Sequence, residues 1–504
     1  MNFVRMGPSA SLTSDASHTL PMLLTLAAVA SSLTYSLGHV SGGHLNPAVT
    51  FAVFLRRHLT FIQLVLYTMS HFLGFLLSGV TCIEILGSVQ SPADLKVSTS
   101  DGGLNSSKCF AIVSIFSFCL CYAVLCTSTS AAQSGNSHFG IAAGFSAAVG
   151  MVICAIKGTG SSLNYAFDLS LICSKWFYDT EFPKRFTDYA NFSNFNEGLW
   201  FLVAAPIAGS IVSALFYRYV KVTAFTKRSH GLFNRIIKRV APFLVECIGT
   251  FLISFVWMAA YPSSEEATDS AWSSLACCYM AISFAMVYSG GFISGGHFNP
   301  AVSFAVFLQG SFGAFDFIMY TFVQAVGAFG AGSLAWELFA KSPVPEIGSG
   351  VSKENAFIME GIFASMLVFA YLNSACSKSK ENQGNSFYGI AISAVLFSAS
   401  MLIGKMSGGL VNPAIAVASF ASRNVWQSKS WNSNLMQDSW VMIASPLAAA
   451  LVCGLVYRAC LIGIDIKCCN RASSDNSLSS TVPDEEDEND DDGMADEEKA
   501  GVAI

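Results

Sequence analysis

Three short phrases in this chain carry groups suited to holding a small polar molecule. They read Ser41-Gly-Gly-His-Leu-Asn46-Pro47-Ala48-Val49, Ser294-Gly-Gly-His-Phe-Asn299-Pro300-Ala301-Val302 and Ser407-Gly-Gly-Leu-Val-Asn412-Pro413-Ala414-Ile415. Ser-Gly-Gly lets the backbone leave a helix and turn sharply at positive φ. Asparagine is a favoured N-cap, and proline suits the first helical position, where its missing N–H would be unpaired anyway. Alanine then permits close packing. Each phrase therefore predicts a new half-helix begun by asparagine, its positive dipole end at the turn. If the amide oxygen caps its own helix, the NH2 donors are left to face a channel. That is hydrogen-bond donation to a molecule in transit, not covalent catalysis.

The elements that must position these asparagines are apolar helices. The chain has 504 residues, 53% hydrophobic and 12% charged, with mean hydropathy +0.52. A soluble globule carries about a quarter charged residues, so this composition is that of an integral membrane protein. Runs at 20–40, 61–86, 109–129, 139–157 and 199–219 are long enough to span a bilayer,. So are 241–260, 272–292, 314–340, 355–375, 387–405 and 438–461. Non-helical backbone at membrane depth survives only where it lines a cavity or is buried in protein. A turn between two soluble helices is the bland alternative for the three phrases, and these flanks disfavour it.

Charge divides the chain further. Between 218 and 239 lie Arg218, Lys221, Lys227, Arg228, Arg235, Lys238 and Arg239 with no acid, a basic linker that the positive-inside rule places in the cytoplasm,. With it fall Arg56, Arg57, Lys378, Lys380 and the C-terminal tail. Glu265, Glu266, Asp269 and the sequons at Asn105 and Asn191 fall outside,. Eleven of the 33 acids lie between Asp484 and Glu498, a block that repels itself and predicts a disordered tail,. The 15 cysteines show no metal-ligand spacing and read mostly as small core residues,; Cys468 and Cys469, just past the last span, also suit palmitoylation. No cofactor or metal is implied.

Two Asn-Pro-Ala copies about 110 residues apart, each behind Ser-Gly-Gly, resemble the aquaporin (major intrinsic protein) family. The resemblance covers 241–462 well and 20–220 imperfectly. It implies an all-α membrane protein of two tandem aquaporin-like bundles, with about eleven transmembrane helices plus half-helices entering from both sides. The expected divisions are a degenerate unit at 1–220, the linker at 221–240, a complete unit at 241–465 and the acidic tail at 466–504. Glu246 lies 53 residues before Asn299, and the same distance before Asn46 falls off the chain, so the first unit is expected to lack its opening span. Its second motif looks eroded: at Asn164 the next residue is Tyr165, expected to break the helix start, and Phe167 stands where an arginine belongs.

By the same resemblance Asn299 and Asn412 are the central donors of the second unit, with Pro300, Ala301, Pro413 and Ala414 fixing the half-helices. Asn46, Pro47, Ala48 and Asn164 are the first unit's counterparts. Glu246 and Glu360 support the half-helix loops, a more probable role for intramembrane carboxylates than proton relay, and His297 lines the pore loop or packs beside it. The outer constriction falls on Tyr279, Ser400, Gly409 and Ile415. The expected arginine is Ile415, which removes a fixed cation and its donors. With Ser400 and Gly409 leaving space, a wider, less polar constriction is expected, passing glycerol, urea or peroxide as well as water. The first unit's constriction, Leu26, Val152, Ser161 and Phe167, is mostly apolar, and that pore is expected to be closed.

The reading is thus a passive channel for water or small neutral solutes; the alternative is a non-conducting scaffold or junction protein of the same fold. A coupled transporter would need ionisable residues along the pore. An enzyme would need a nucleophile–base pair, a metal cluster or a phosphate loop, and the sequence offers none of these. The partners implied are the lipid bilayer, the solute and a homo-oligomer in which two chains give four barrels; nucleic acid has no support.

Overall fold

A computed structural model describes residues 19–86, 105–128, 139–181, 200–225, 232–262, 268–311, 313–340, 343–376, 387–426 and 436–475. Among these residues there are helices and connecting turns, and no strand. The first bundle comprises α1 (Thr19–Ser41), α2 (Pro47–Leu55), α3 (Phe61–Leu86), α4 (Ser106–Ser128), α5 (Phe139–Ile156), α6 (Tyr165–Glu181) and α7 (Phe201–Phe225). The second comprises α8 (Leu232–Ala260), α9 (Asp269–Ser294), α10 (Pro300–Gln309), α11 (Ala314–Phe339), α12 (Lys353–Ser374), α13 (Tyr388–Ser407), α14 (Pro413–Trp426) and α15 (Met436–Asp475).

Ten of these helices are long and apolar enough to cross a membrane, one fewer than the eleven expected; α5, like α6 and α10, is a shorter apolar helix. The half-helices α2, α6, α10 and α14 follow the four asparagines. Two boundaries differ from expectation. Helix α8 begins at Leu232, inside the 221–240 linker, and α15 continues to Asp475, past the expected tail start at 466. The acidic block, Asn191, Glu265, Glu266, Lys378 and Lys380 lie outside the described residues.

Small residues set the close crossings. A Cβ on Gly327 of α11 would strike the Cys247 carbonyl of α8, and one on Gly209 of α7 would meet the Ser114 carbonyl of α4 at 2.5 Å. Gly74 of α3 stands as far beyond Asn46 as Gly327 stands beyond Asn299, yet has nothing within 4 Å. The difference follows from topology, since among the described residues no helix of the first bundle takes the position that α8 takes in the second. The two bundles also pack on each other: α9 lies against α4 and α5, with Phe145 and Phe284 5.2 Å apart and the Lys157 ammonium 4.4 Å over Phe339.

Overpacking a tight crossing costs about 1–3 kcal/mol. Gly327→Val should therefore lower the thermal unfolding midpoint in detergent, whereas Gly74→Val should leave it unchanged.

Candidate functional site

The site is built where half-helix starts meet in pairs. In the second bundle Asn299 and Asn412 each accept a backbone N–H on their own helix, from Ala301 at 2.9 Å and Ala414 at 3.1 Å. Their amide nitrogens donate across the pair, Asn299 to the Val411 carbonyl at 2.8 Å and Asn412 to the Phe298 carbonyl at 3.0 Å. Those carbonyls belong to the residues just before the opposite asparagine. Phe298 and Val411 have φ of 47° and 46°, a left-handed conformation unusual for any non-glycine and costly for β-branched valine,. The expectation that the NH2 donors are left free to face a channel is therefore corrected: each NH2 donates to the opposite loop, and that of Asn412 also meets the Tyr279 hydroxyl.

The first bundle repeats the arrangement. Asn46 caps Ala48 at 2.8 Å and donates to the Leu163 carbonyl at 3.0 Å, and Asn164 donates to the Leu45 carbonyl at 3.0 Å. Tyr165 does not break the helix, which starts at that residue. A first-turn N–H needs no intrahelical partner, so proline is favoured there without being required. The cap only shifts, with Asn164 accepting from Phe167 N at 3.2 Å.

Carboxylates hold the turns. Glu246 Oε1 accepts from Ser294 Oγ at 2.7 Å and His297 N at 2.9 Å; Oε2 accepts from Phe298 N at 2.6 Å and Gln324 Nε2 at 2.9 Å. Glu360 accepts from Ser407 Oγ, Leu410 N and Val411 N at 2.6, 3.2 and 2.9 Å. Both are fully buried and have donors on both oxygens, so they brace backbone that would otherwise lack acceptors,. His297 packs: its Nδ1 is 3.0 Å from Ser303 Oγ, and its ring lies between Tyr320 and Tyr371. In the first bundle Ile112 stands in the place of Glu360, and Asp168 replaces it from within α6. Its carboxylate takes Ser162 N at 3.0 Å and Ser161 Oγ at 3.1 Å. The bracing role of Asp168 depends on the turn geometry, which its place in the sequence does not reveal.

The constriction differs most from expectation. Gly409 leaves no opening: a Cβ there would sit 2.6 Å from the Ala399 carbonyl and 2.7 Å from Ser400 Cα, so α13 takes the space. Tyr279 donates its hydroxyl to the Leu410 carbonyl at 3.1 Å and sits beside the Asn412 amide. Ser400 Oγ donates to the Gly409 carbonyl at 3.4 Å. Tyr279, Ser400 and Ile415 are fully buried, while Asn299 and Asn412 retain 4% and 3% exposure. The four positions expected to form the constriction are thus all buried. Its first-bundle counterparts Leu26, Val152 and Ser161 are buried too, and Phe167 packs edge-on to Phe75.

The major intrinsic protein family model matches residues 3–217 and 234–457, and the chain belongs to that family. A probable TIP-type aquaporin of Medicago truncatula is 31% identical over 227 residues, covering 44% of this chain and 86% of the relative. Glycerol uptake facilitator protein-like 6 of Lactiplantibacillus plantarum is 27% identical over 229 residues, covering 43% and 96%. Among solved structures, the aquaglyceroporin from Plasmodium falciparum aligns with a TM-score of 0.34 at 22% identity, over 43% of this chain and 93% of that one. The protein is accordingly a multi-pass integral membrane protein of a channel family, not of an enzyme family.

Removing one partner of a buried hydrogen-bonded group strands the others, at about 1–3 kcal/mol for each. Glu246→Leu strands the His297 and Phe298 amides, and Asp168→Leu strands Ser162. Both variants should unfold in detergent at lower temperature than the parent, with Glu246→Leu losing more.

Proposed function

We propose that the second bundle is a passive channel for water or small neutral solutes, with its rate set at Tyr279. The observation that carries this reading is the crossed pair Asn299–Val411 and Asn412–Phe298, which presents two half-helix N-termini to one point. The Asn299 amide keeps a hydrogen for a passing oxygen, and the Asn412 amide gains one when the Tyr279 hydroxyl moves off it. A neutral solute bound between two such donors has its own acceptors oriented outward, and the two positive dipole ends disfavour a cation.

Passage needs the Tyr279 ring to swing off Leu410. That breaks one neutral hydrogen bond, worth about 0.5–1.5 kcal/mol net. Ile415 supplies no cation to the constriction, so selectivity there rests on size and on the Tyr279 hydroxyl. Glycerol, urea and peroxide are candidate solutes beside water once the ring has moved. The first bundle, with Phe167 against Phe75 and Val152 buried, is read as a closed scaffold.

The density of Lys and Arg in 218–239 supports a cytoplasmic linker, and with it a cytoplasmic C-terminal tail,. A homo-oligomer of two chains giving four barrels is supported by the pairing of α9 with α4 and α5 within one chain. On α12 and α13 Ile358, Ile362 and Leu402 are exposed and offer apolar surface to a second copy.

A second reading, a non-conducting scaffold or junction protein, is favoured by the burial of every constriction position. Stopped-flow light scattering on proteoliposomes separates the two. The channel reading expects low but measurable water flux, raised several-fold by Tyr279→Ala and abolished when Asn299→Leu and Asn412→Leu are combined. Flux that survives the double variant contradicts it. No flux in either the parent or Tyr279→Ala establishes the scaffold.

A further inference from the structure

The half-helix α2 of the first bundle ends among cations that no acid answers. Arg56 caps its C-terminus, half-buried, with the guanidinium 5.2 Å over the Tyr217 ring of α7. Arg218 comes next on α7, near enough for the two charges to repel, and Arg57 is exposed. Among the described residues no carboxylate pairs with Arg56, Arg57 or Arg218. A basic end is common where a helix leaves a membrane, and water usually solvates it. Arg56 Nε is different, because it is a buried donor with no hydrogen-bond partner among the described residues,.

The second bundle ends its matching half-helix without these charges. Gln309, Gly310 and Ser311 stand in the places of Arg56, Arg57 and His58. Arg458, the counterpart of Arg218, is spent on the Leu308 carbonyl at 3.3 Å. Arg57 takes a φ of 62° where the second bundle has a glycine at 95°, so a cation occupies a turn that glycine would fill more easily,.

A cavity lies on the same elements. Between α2, α3, α6 and α7 there is a space of about 310 Å³, lined by Phe51, Leu64, Val65, Met69, Tyr165 and Ile207. Its one hydroxyl pair, Tyr165 and Thr68, is bonded to itself, so the lining is apolar in effect. In the second bundle Phe317 fills the matching place, stacked on Phe304 and Phe307 at 5.4 and 5.2 Å. The first bundle keeps Phe51 and Phe54 but has Leu64 for Phe317, and the space opens. Val65 and Met69 on its rim are exposed, and so are their counterparts Ile318 and Phe322, so this face meets lipid in both bundles. The cavity also runs toward the cations. Phe51 and Arg56 are about 8 Å apart along α2. On α7 Ile207, Ile211, Leu215 and Arg218 recur at helical spacing down one face, with Ile211 and Leu215 exposed,.

We propose that this end of the first bundle is a binding site for one anionic glycerophospholipid. Its phosphodiester sits on the guanidinium groups of Arg56 and Arg218, and one acyl chain runs along Leu215 and Ile211 into the cavity beside Leu64. A guanidinium is a planar fork that matches two phosphate oxygens, and anionic headgroups gather at the depth where basic helix ends emerge. The apolar cavity selects the source of the phosphate. Free phosphate would leave it empty, and so would the acidic block at 484–498, whereas an acyl chain fills it. This assignment is independent of whether either bundle conducts.

The full chain in detergent micelles is titrated with palmitoyl-oleoyl phosphatidylglycerol, or with phosphatidylcholine of the same chains, and bound lipid is counted by native mass spectrometry. One phosphatidylglycerol is expected to be held about tenfold more tightly than phosphatidylcholine. Arg56→Gln and Leu64→Phe each copy the residue that the second bundle carries at that place, so both variants should fold. Arg56→Gln should weaken phosphatidylglycerol about fivefold, the worth of one interfacial cation, and leave phosphatidylcholine unchanged. Leu64→Phe should weaken phosphatidylglycerol without altering any charge, and an excess of inorganic phosphate should not displace it. Equal retention of the two lipids, retention insensitive to both substitutions, or displacement by inorganic phosphate overturns the proposal. So does retention that appears only once the acidic block at 484–498 has been removed, since that block would then be the occupant.

Discussion

Four amide-to-carbonyl bonds, two in each bundle, tie the half-helices together, and the rest of the molecule is arranged to make them possible. Each needs a non-glycine residue in left-handed conformation to aim its carbonyl at the opposite asparagine, at Leu45, Leu163, Phe298 and Val411. Such backbone costs about 1–2 kcal/mol per residue, comparable to the net worth of the bond it permits. The pair is therefore not self-supporting. Buried carboxylates on the loop amides and tight helix crossings at Gly327 and Gly209 supply what it lacks.

The two bundles are a natural experiment in which these supports vary while the crossed bonds do not. Asn164 manages without proline because the first-turn amide makes no demand on the helix. Among the described residues the first bundle shows no counterpart of Glu246 or Glu360, and only the second is made good, by Asp168. Around His71, which stands in the place of Gln324 and where no described residue substitutes, the geometry of the turn persists. Loop shape is thus set mainly by Ser-Gly-Gly and the asparagine caps, and the carboxylate stabilises a conformation already chosen.

Much of this was legible in the sequence. The Ser-Gly-Gly-x-x-Asn-Pro-Ala phrases announced half-helices because cap and turn chemistry is local, and α2 and α10 begin at Pro47 and Pro300 as that chemistry dictates. The long apolar runs placed every span to within a few residues. What could not be read was the third dimension of the constriction. Gly409 suggested an opening, but whether an absent side chain leaves a void depends on what approaches it, and α13 does. Tyr279 was assigned by position alone; its reach to Leu410 spans 131 residues of chain. The failure at Tyr165 was of another kind, mistaking a preference for a requirement.

Asp168 illustrates how the length of chain between two partners matters apart from the contact itself. It closes on Ser162 across six residues, where Glu360 must find Val411 across 51. The entropy of closing a loop grows as the logarithm of its length, so the shorter connection is favoured by about 2 kcal/mol before any packing is counted. The half-helix at Asn164 can therefore take shape as soon as its own segment has been synthesised, without waiting for α4 to be in place. Freed of that duty, α4 carries Ile112 at the matching depth and adds an apolar side chain to the interior there.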